Sequence, residues 1–268
     1  HNLATGSPLI VGDVLYTLTS NGVDEGHVNI PSPFSPDFIA VDKNTGELLW
    51  ESNPVGENVL HGAWTNPAYG VINGRAQVVF AGGNGVIYSL DAETGALIWE
   101  FDCNPKDAEW ILGGRGTRNN VLATPVIYDN KVYIGVGQDP EHGEAPGHFY
   151  AIDATGTGDV TDTHTLWHRG GEDFYRTMST AAITDGVLYI SSLSGFLHAL
   201  DPETGEEFWT YDAFAAVWGS PYVVDGKVFL GDEDGDIVVL RAGQEMEVIA
   251  EYNLGAAVYS TPVPHDGV

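Results

Sequence analysis

The sequence is poor in positive charge. Ten Lys and Arg residues stand against 38 Asp and Glu residues, and the formal net charge at pH 7 is -28. A surface this acidic repels the phosphates of nucleic acid and anionic lipid headgroups, so we expect neither as a partner. Two explanations of the acidity remain open: adaptation to salty water, where ions screen repulsion between like charges, and the general acidity of periplasmic or extracellular proteins.

Cysteine and long apolar runs are also scarce. Cys103 is the only cysteine, which excludes a disulfide within the chain. No apolar stretch approaches the ~20 residues that a membrane-spanning helix needs. Residues 1–6 lack the basic region and the apolar run of a signal peptide. We therefore expect neither a membrane span nor a leader within these residues.

Internal repeats are the strongest positive signal. Residues 40–50, 89–99 and 199–209 share an Asp-x-x-Thr-Gly turn and end in Trp. A stretched copy occupies residues 151–167, and a degenerate copy occupies residues 239–249, with Arg241 at the Asp position and Ile249 at the Trp position. Such self-similarity indicates a fold assembled from one repeated unit.

The first half of each unit repeats as well, at residues 7–16, 124–133 and 220–229. Each unit is therefore interpreted as four strands, A to D, with strand D ending at the Trp. Asp, Asn and Gly at the turns tolerate positive φ and suit tight hairpins. The Trp residues at 50, 99, 167 and 209 are expected to pack between neighbouring units, because a large ring needs burial.

Four-stranded units that repeat along a chain predict an all-β fold, a β-propeller of antiparallel blades. The predicted blades lie at about 7–50, 65–99, 122–167, 179–209 and 219–250, and residues 260–268 are predicted as the first strand of a sixth. We expect residues 1–268 to form a single domain that is part of a larger propeller. The remaining blades would come from the same parent chain or from a partner, because an open propeller exposes a sheet edge.

The repeats resemble the PQQ-like propeller family, whose blades carry the motif Ala-x-Asp-x-x-Thr-Gly-x-x-x-Trp. The resemblance covers essentially the whole chain. The longer stretches 101–106, 116–120 and 137–143 are similar to uncharacterised PQQ-like repeat proteins of planctomycete-type bacteria. Those relatives imply an exported, periplasmic or extracellular protein whose complete propeller has eight blades.

Two branches of that family imply different functions. Quinoprotein alcohol dehydrogenases hold PQQ and Ca²⁺ on the channel axis and typically carry a disulfide between adjacent cysteines, which a lone Cys103 cannot form. Other members hold no cofactor and bind protein. We find no match to the catalytic Asp region or to the Ca²⁺ ligands of the enzymes, and no other catalytic motif. We therefore predict a non-catalytic scaffold that binds a protein or an extracellular polymer, without PQQ or another required cofactor. The alternative is a quinoprotein-type oxidoreductase or a metal-dependent enzyme that uses the channel mouth.

Long connections are predicted on one face only, which we call the loop face. It gathers the D–A connections 51–64, 100–121 and 168–178 and the B–C connections 20–37 and 137–147, whereas the opposite face has short turns. Long loops on a rigid scaffold commonly carry binding sites. The candidate ligand-binding residues there are Trp64, Asn66, Arg115, Arg118, Asn119, Arg176, Trp218 and Tyr259.

Two of these assignments have structural alternatives. Trp64 and Trp218 stand just before a strand A, where they either line the channel mouth or plug the inner core. The arginines belong to a basic cluster with Lys106 and Arg169 that either binds an anionic group or pairs internally. The acidic neighbours available for pairing are Asp102, Asp107, Glu109, Glu172 and Asp173.

One B–C connection also gathers metal-ligand side chains. Asp139, Glu141, His142 and His148 offer carboxylates for Ca²⁺ or imidazoles for a transition metal, although they match no established spacing. Residues 231–236 superficially resemble a calcium loop, but they align with the plain turns 82–85 and 192–195. They also lack the bidentate Glu of an EF-hand, so we predict an ordinary hairpin turn.

Overall fold

The computed structural model describes residues 6–19, 21–138, 146–171 and 173–264. Within these residues the strands form five sheets, and each sheet contains four antiparallel strands. We number these sheets blade 1 to blade 5 in chain order and call the strands of each blade A to D. One of the five sheets carries an additional, parallel strand.

Blade 1 comprises β1 (Leu9–Val11), β2 (Val14–Leu18), β3 (Phe38–Asp42) and β4 (Leu48–Ser52). Blade 2 comprises β5 (Ala68–Ile72), β6 (Arg75–Ala81), β7 (Val86–Asp91) and β8 (Leu97–Asp102). Blade 3 comprises β9 (Val126–Tyr128), β10 (Lys131–Val136), β11 (His148–Asp153) and β13 (Thr165–Gly170). The short β12 (Gly158–Asp159) lies between β11 and β13 in the chain but pairs with blade 2. Blade 4 comprises β14 (Ala182–Thr184), β15 (Val187–Ser191), β16 (Phe196–Leu200) and β17 (Glu207–Asp212). Blade 5 comprises β18 (Tyr222–Val224), β19 (Lys227–Gly231), β20 (Asp236–Arg241) and β21 (Val248–Asn253).

The turn between strands C and D is built by its own side chains. In blade 1 the Asp42 carboxylate accepts hydrogen bonds from the backbone N–H groups of Asn44 and Thr45, both at 2.8 Å. Gly46 follows at φ 77°, a conformation that glycine adopts without steric cost. Asp91 and Asp201 repeat this bonding in blades 2 and 4. In blade 5 the turn is closed instead by an Arg241–Glu247 ion pair.

Indole rings connect successive blades. Trp50 of blade 1 donates from Nε1 to the carbonyl oxygen of Ala92 in blade 2, at 3.1 Å. Trp167 and Trp209 make the corresponding bonds to Pro202 and Gly243, each at 2.9 Å. Trp99 differs, because its indole donates to the Gln77 side chain inside its own blade. All four rings therefore bring apolar area to the contact between blades, and three of them add a directional bond.

The first strands of the blades lie side by side, as β1 does with β5, β5 with β9, and β14 with β18. Just before these strands, Ser7, Asn66, Thr124, Thr180, Ser220 and Thr261 form an arc of hydrogen bonds, in which each residue bonds the next. We call this set the inner arc. Strand A of each blade therefore faces a common axis and strand D lies outermost, which confirms the predicted β-propeller.

The prediction that strand D ends at the Trp is wrong. Strand D continues past it, so that Ser52 pairs with Phe38, Asp102 with Val86 and Asp212 with Phe196. The antiparallel partner strand C begins with residues that need hydrogen-bond partners, and only a longer strand D supplies them. The starts of the predicted D–A connections, residues 51–52, 100–102 and 168–170, are consequently strand and not loop.

The extra residues of the stretched repeat do not form a simple loop within blade 3. They form β12, which leaves blade 3 and pairs in parallel with β8 of blade 2, joining Gly158 to Trp99 and Asp159 to Glu100. Blade 2 is thereby a five-stranded sheet. Residues 260–268 were predicted to begin a sixth blade; of these, 260–264 are not in a strand and 265–268 lie outside the described residues.

The described part of the chain contains no helix that is long and apolar enough to cross a membrane.

Candidate functional site

The loop face is a continuous layer, because the connections bond across blades. Leu60, in the D–A connection of blade 1, donates its N–H to Gly83 in the B–C turn of blade 2, at 2.7 Å. Glu233, in the B–C turn of blade 5, bonds to Ala216 of the preceding D–A connection in the same way, at 2.9 Å. The long connections are therefore braced on their neighbours.

Trp64 belongs to an aromatic group on this face. Its ring centroid lies 5.0 Å from that of the buried His61, and the His61 ring lies 4.5 Å from that of His27 in an edge-to-face arrangement. The Nε2 atoms of the two histidines are 3.3 Å apart. Trp64 itself is only partly buried. The sequence identified Trp64 but not the histidines, whose only signal was their position in the enlarged connections.

Trp218 and Tyr259 form a second aromatic group near the axis. Their rings meet edge-to-face at 5.9 Å, and both bond the Glu233 carboxylate at 3.2 Å. Tyr259 is 58% exposed. The structure thus brings these two predicted residues together and adds Glu233, which lies in the hairpin turn at 231–236. That turn is an ordinary hairpin, with Asp232 accepting the N–H groups of Asp234 and Asp236.

Two predicted asparagines have structural positions. Asn66 belongs to the inner arc, where its side chain accepts from the Ser7 N–H and donates to the Thr124 hydroxyl. Asn119 is 1% exposed, and its backbone N–H donates to the Asn104 side chain. Asn119 therefore lies beneath the surface that the sequence predicted it to line.

The basic cluster is divided among separate partners. Arg118 pairs with Asp102 at 2.9 Å, and Arg169 pairs with Glu207 of blade 4 at 3.0 Å. Lys106 pairs with Asp162 at 2.7 Å. Of the two alternatives for Arg118, binding an anionic group or pairing within the chain, the structure shows pairing with Asp102.

Two arginines of the cluster remain to be placed. Arg115 is exposed, whereas Arg176 is partly buried. The Arg176 carbonyl accepts from Leu193, and a Cβ added at Gly137 would come within 2.2 Å of the Arg176 Cβ. Arg176 is therefore packed against the start of the blade 3 B–C connection.

Of the predicted metal ligands, Asp139, Glu141 and His142 lie outside the described residues. His148 lies on β11, where its Nδ1 is 3.0 Å from Nε2 of His168. Burial, and secondarily the His168 charge, lowers the pKa of His148 to about 4. Within the ranges that the structure describes, no group of three or more His, Cys, Asp or Glu side chains is placed to hold a metal ion.

The described residues also form a cavity that the sequence did not predict. A cavity of about 460 Å³ lies in the cleft between blades 1 and 2. Its lining includes the side chains of Tyr88, Glu100, Asp102, Trp110, Arg118 and Asp159. Residues 54 and 58, in the D–A connection of blade 1, complete one wall. We call this the cleft cavity.

Charge in the cleft cavity is uneven. Asp102 is neutralised by Arg118, whose Nη2 lies 2.9 Å from both carboxylate oxygens. The Glu100 carboxylate has neither a hydrogen bond nor an ion pair with any described residue. Burial, and then repulsion from Asp159 and Asp102, raises the pKa of Glu100. The Thr161 hydroxyl and N–H bond Asp159 and lower its pKa, so Asp159 stays ionised.

The signals for this cavity were present but scattered. Trp110 lies outside the repeated motif, Glu100 follows the motif Trp at position 99, and Asp159 lies in the stretched repeat. Only the longer strand D and the parallel β12 bring Glu100 and Asp159 onto neighbouring strands.

A family model described as "Outer membrane protein assembly factor BamB" matches residues 37–167 and 150–244. Among curated proteins, the dehydrogenase subunit of the alcohol dehydrogenase (quinone) of Gluconobacter oxydans is 32% identical over 134 residues, which is 49% of this chain and 16% of that protein. Outer membrane protein assembly factor BamB of Shewanella oneidensis is 29% identical over 175 residues, which is 62% of this chain and 39% of that protein.

Among solved structures, BamB from Moraxella catarrhalis superposes with a TM-score of 0.66 at 18% identity, covering 98% of this chain and 65% of that one. At this identity the likeness concerns the fold. The chain spans less than two thirds of the length of each of these three proteins.

Proposed function

The chain belongs to the PQQ-like repeat family whose model is described as "Outer membrane protein assembly factor BamB", and from that premise we propose that it is a non-catalytic binding scaffold. Its ligand is a protein, with an extracellular polymer as the second class. We further propose that it acts in the periplasm or outside the cell, in keeping with the outer-membrane role that its relative's name states.

The observation that carries this proposal is the construction of the loop face. Long connections are held in place by backbone hydrogen bonds from each blade to the next. A partner that docks there meets a surface that loses little conformational entropy on binding. The face also presents Tyr259 and Arg115, exposed side chains of the kinds common in protein interfaces.

Site-specific photo-crosslinking tests the proposal. A benzophenone amino acid placed at Arg115 should yield a defined adduct with a polypeptide in cells that produce the protein, identified by mass spectrometry. The matched control places the same group at Glu93, an exposed turn residue on the opposite face of blade 2. A protease-resistant adduct would indicate a polymer instead, and equal adducts at both positions, or none, would contradict the loop face as the docking surface.

A quinoprotein-type oxidoreductase is the second candidate, because a relative that is 32% identical over 134 residues is named an alcohol dehydrogenase (quinone). The residues at hand fit that chemistry poorly. Cys103 is buried and is the only cysteine in the sequence, and the described residues offer no three-ligand metal group. Incubation with PQQ and Ca²⁺, followed by an alcohol-dependent dye-reduction assay, separates the two functions. A stoichiometric quinone spectrum with turnover would replace the scaffold proposal.

A further inference from the structure

The cleft cavity lies away from the axis of the propeller. It is lined by residues of strands C and D and the B–C turn of blade 2, by β12 and the segment after it, and by two D–A connections, and by no residue of a strand A. It is thus distinct from the channel mouth and from the Trp218–Tyr259 pair. Its volume of about 460 Å³ falls within the range of roughly 300–1,000 Å³ that small-ligand pockets occupy.

The lining has an excess of acceptors. It holds three carboxylates and one guanidinium; the Nη2 atom of that guanidinium bonds Asp102 and the Asn84 carbonyl, and its buried Nε has no hydrogen-bond partner among the described residues. Glu100 is left without a partner beside the ionised Asp159. A half-buried carboxylate is costly without a compensating charge. The charge of the lining therefore favours a positive group over an anion.

An indole ring forms another wall of the same space. The Trp110 indole is fixed by a hydrogen bond from Nε1 to the Asn58 carbonyl at 3.1 Å, and it remains 43% exposed. Tyr88 is buried behind this space, and its hydroxyl accepts from the Asn84 amide at 2.8 Å. A fixed and exposed Trp ring attracts organic cations through its π face. This is an observation independent of the carboxylates, and it favours the same class of ligand.

We propose that the cleft cavity binds the ammonium or guanidinium group of a lysine or arginine side chain presented by a polypeptide partner. The inference rests on the proposed function, because it names a feature of the protein that the scaffold would bind. An anion is disfavoured by Glu100 and Asp159. A bare metal ion is disfavoured because these carboxylates do not form a three-ligand group, whereas the exposed Trp110 indole suits an organic cation.

The experiment is a titration of the full chain followed by NMR, with the indole N–H signal of Trp110 as the reporter. The probes are Nα-acetyl-arginine amide, Nα-acetyl-lysine amide and Nα-acetyl-citrulline amide, the last being a neutral isostere of the first. We expect saturable shifts with the two cations and none with citrulline. Binding should weaken with added salt, which screens the attraction. It should also strengthen as the pH rises through the titration of Glu100, whose ionised form, next to Asp159 and Asp102, attracts the cation.

Matched variants locate the effect. Glu100→Gln should weaken cation binding by about tenfold or more, because it removes the unpaired charge while keeping the shape. Glu93→Gln, which removes the same charge from an exposed turn of the same blade, should leave binding within about twofold. Thermal unfolding of Glu100→Gln should occur at an equal or higher temperature, since burial disfavours the charged form of Glu100.

Three results would overturn the inference. These are equal binding of citrulline, unchanged binding by Glu100→Gln, or a neutral disaccharide such as cellobiose shifting the Trp110 signal at lower concentration than the cations. If the cations fail while the Arg115 crosslink still captures a polypeptide, only the assignment of the cleft cavity falls. If both fail, the scaffold proposal falls with it.

Discussion

Two glycines in the same turn motif have different physical reasons for being glycine. Gly46 and Gly95 both have positive φ, 77° and 70°. A Cβ added at Gly46 would meet nothing within 4 Å, whereas one at Gly95 would lie 2.6 Å from Cε3 of Trp50. Of these two glycines, only Gly95 is required by the packing of one blade on the next.

This difference predicts unequal costs for the same substitution. Gly46→Ala should lower the free energy of unfolding by about 1 kcal/mol, the cost of a Cβ at positive φ. Gly95→Ala should cost about 1–3 kcal/mol more, because the methyl group displaces the Trp50 ring. Urea unfolding followed by tryptophan fluorescence measures both. Equal losses of unfolding free energy in the two variants would mean that the Trp50 ring does not restrict the residue at position 95.

The residue scale is also where sequence reasoning was weakest. Pairing of Arg118 with Asp102 was foreseen as an alternative, since the two are near in sequence. The position of Glu100 was not, because it depends on how far strand D continues beyond Trp99. That length is set by pairing with strand C across the sheet, which a local motif does not encode.

Among the elements, the inner arc bonds the blades where they approach the axis most closely. Each member is Ser, Thr or Asn, and each one after Ser7 accepts a hydrogen bond from the residue before it in the arc. In most units the next residue is Pro, which has no N–H to satisfy. The arc therefore supplies partners for backbone groups that no sheet ladder reaches.

Thr180→Val tests the arc with little change of shape. The Thr124 N–H, now 3.1 Å from the Thr180 hydroxyl, would lose its acceptor, at a cost of about 1–2 kcal/mol in the free energy of unfolding. Thr180→Ser keeps the hydroxyl and should retain most of the stability. Chemical denaturation of the two variants in parallel gives the comparison, and similar losses would show that the methyl group matters and not the bond.

The stretched repeat shows the limit of prediction for elements. The sequence revealed that blade 3 carries extra residues between strands C and D. It did not reveal their destination, because β12 pairs with a strand more than fifty residues earlier in the chain. A two-residue parallel pairing leaves no periodic pattern from which it can be inferred.

For the whole molecule, the net charge of -28 is expected to oppose folding through repulsion between like charges. Raising KCl from low salt to 1 M should increase the melting temperature on the order of 5 °C, because the Debye length shrinks to about 3 Å. A nonionic osmolyte at equal osmolality is the control for effects of excluded cosolvent. A melting temperature that stays constant or falls with salt would contradict a screening origin.

The architecture itself was predictable because repetition multiplies weak signals. The predicted first blade, at about 7–50, compares with strands that run from Leu9 to Ser52. The predicted fifth, at about 219–250, compares with Tyr222 to Asn253. The cleft cavity was not predictable in this way, because it arises where the units depart from their common pattern.

That departure also bears on the order in which the protein is made. Blade 2 has its first four strands once Asp102 leaves the ribosome, but the strand that covers its outer edge is residues 158–159. Until blade 3 emerges, β8 presents unpaired backbone groups to any neighbouring nascent chain. The wall of the cleft cavity that contains Asp159 is also completed only then. A nascent blade 2 therefore has an exposed sheet edge and an incomplete cavity until blade 3 is synthesised.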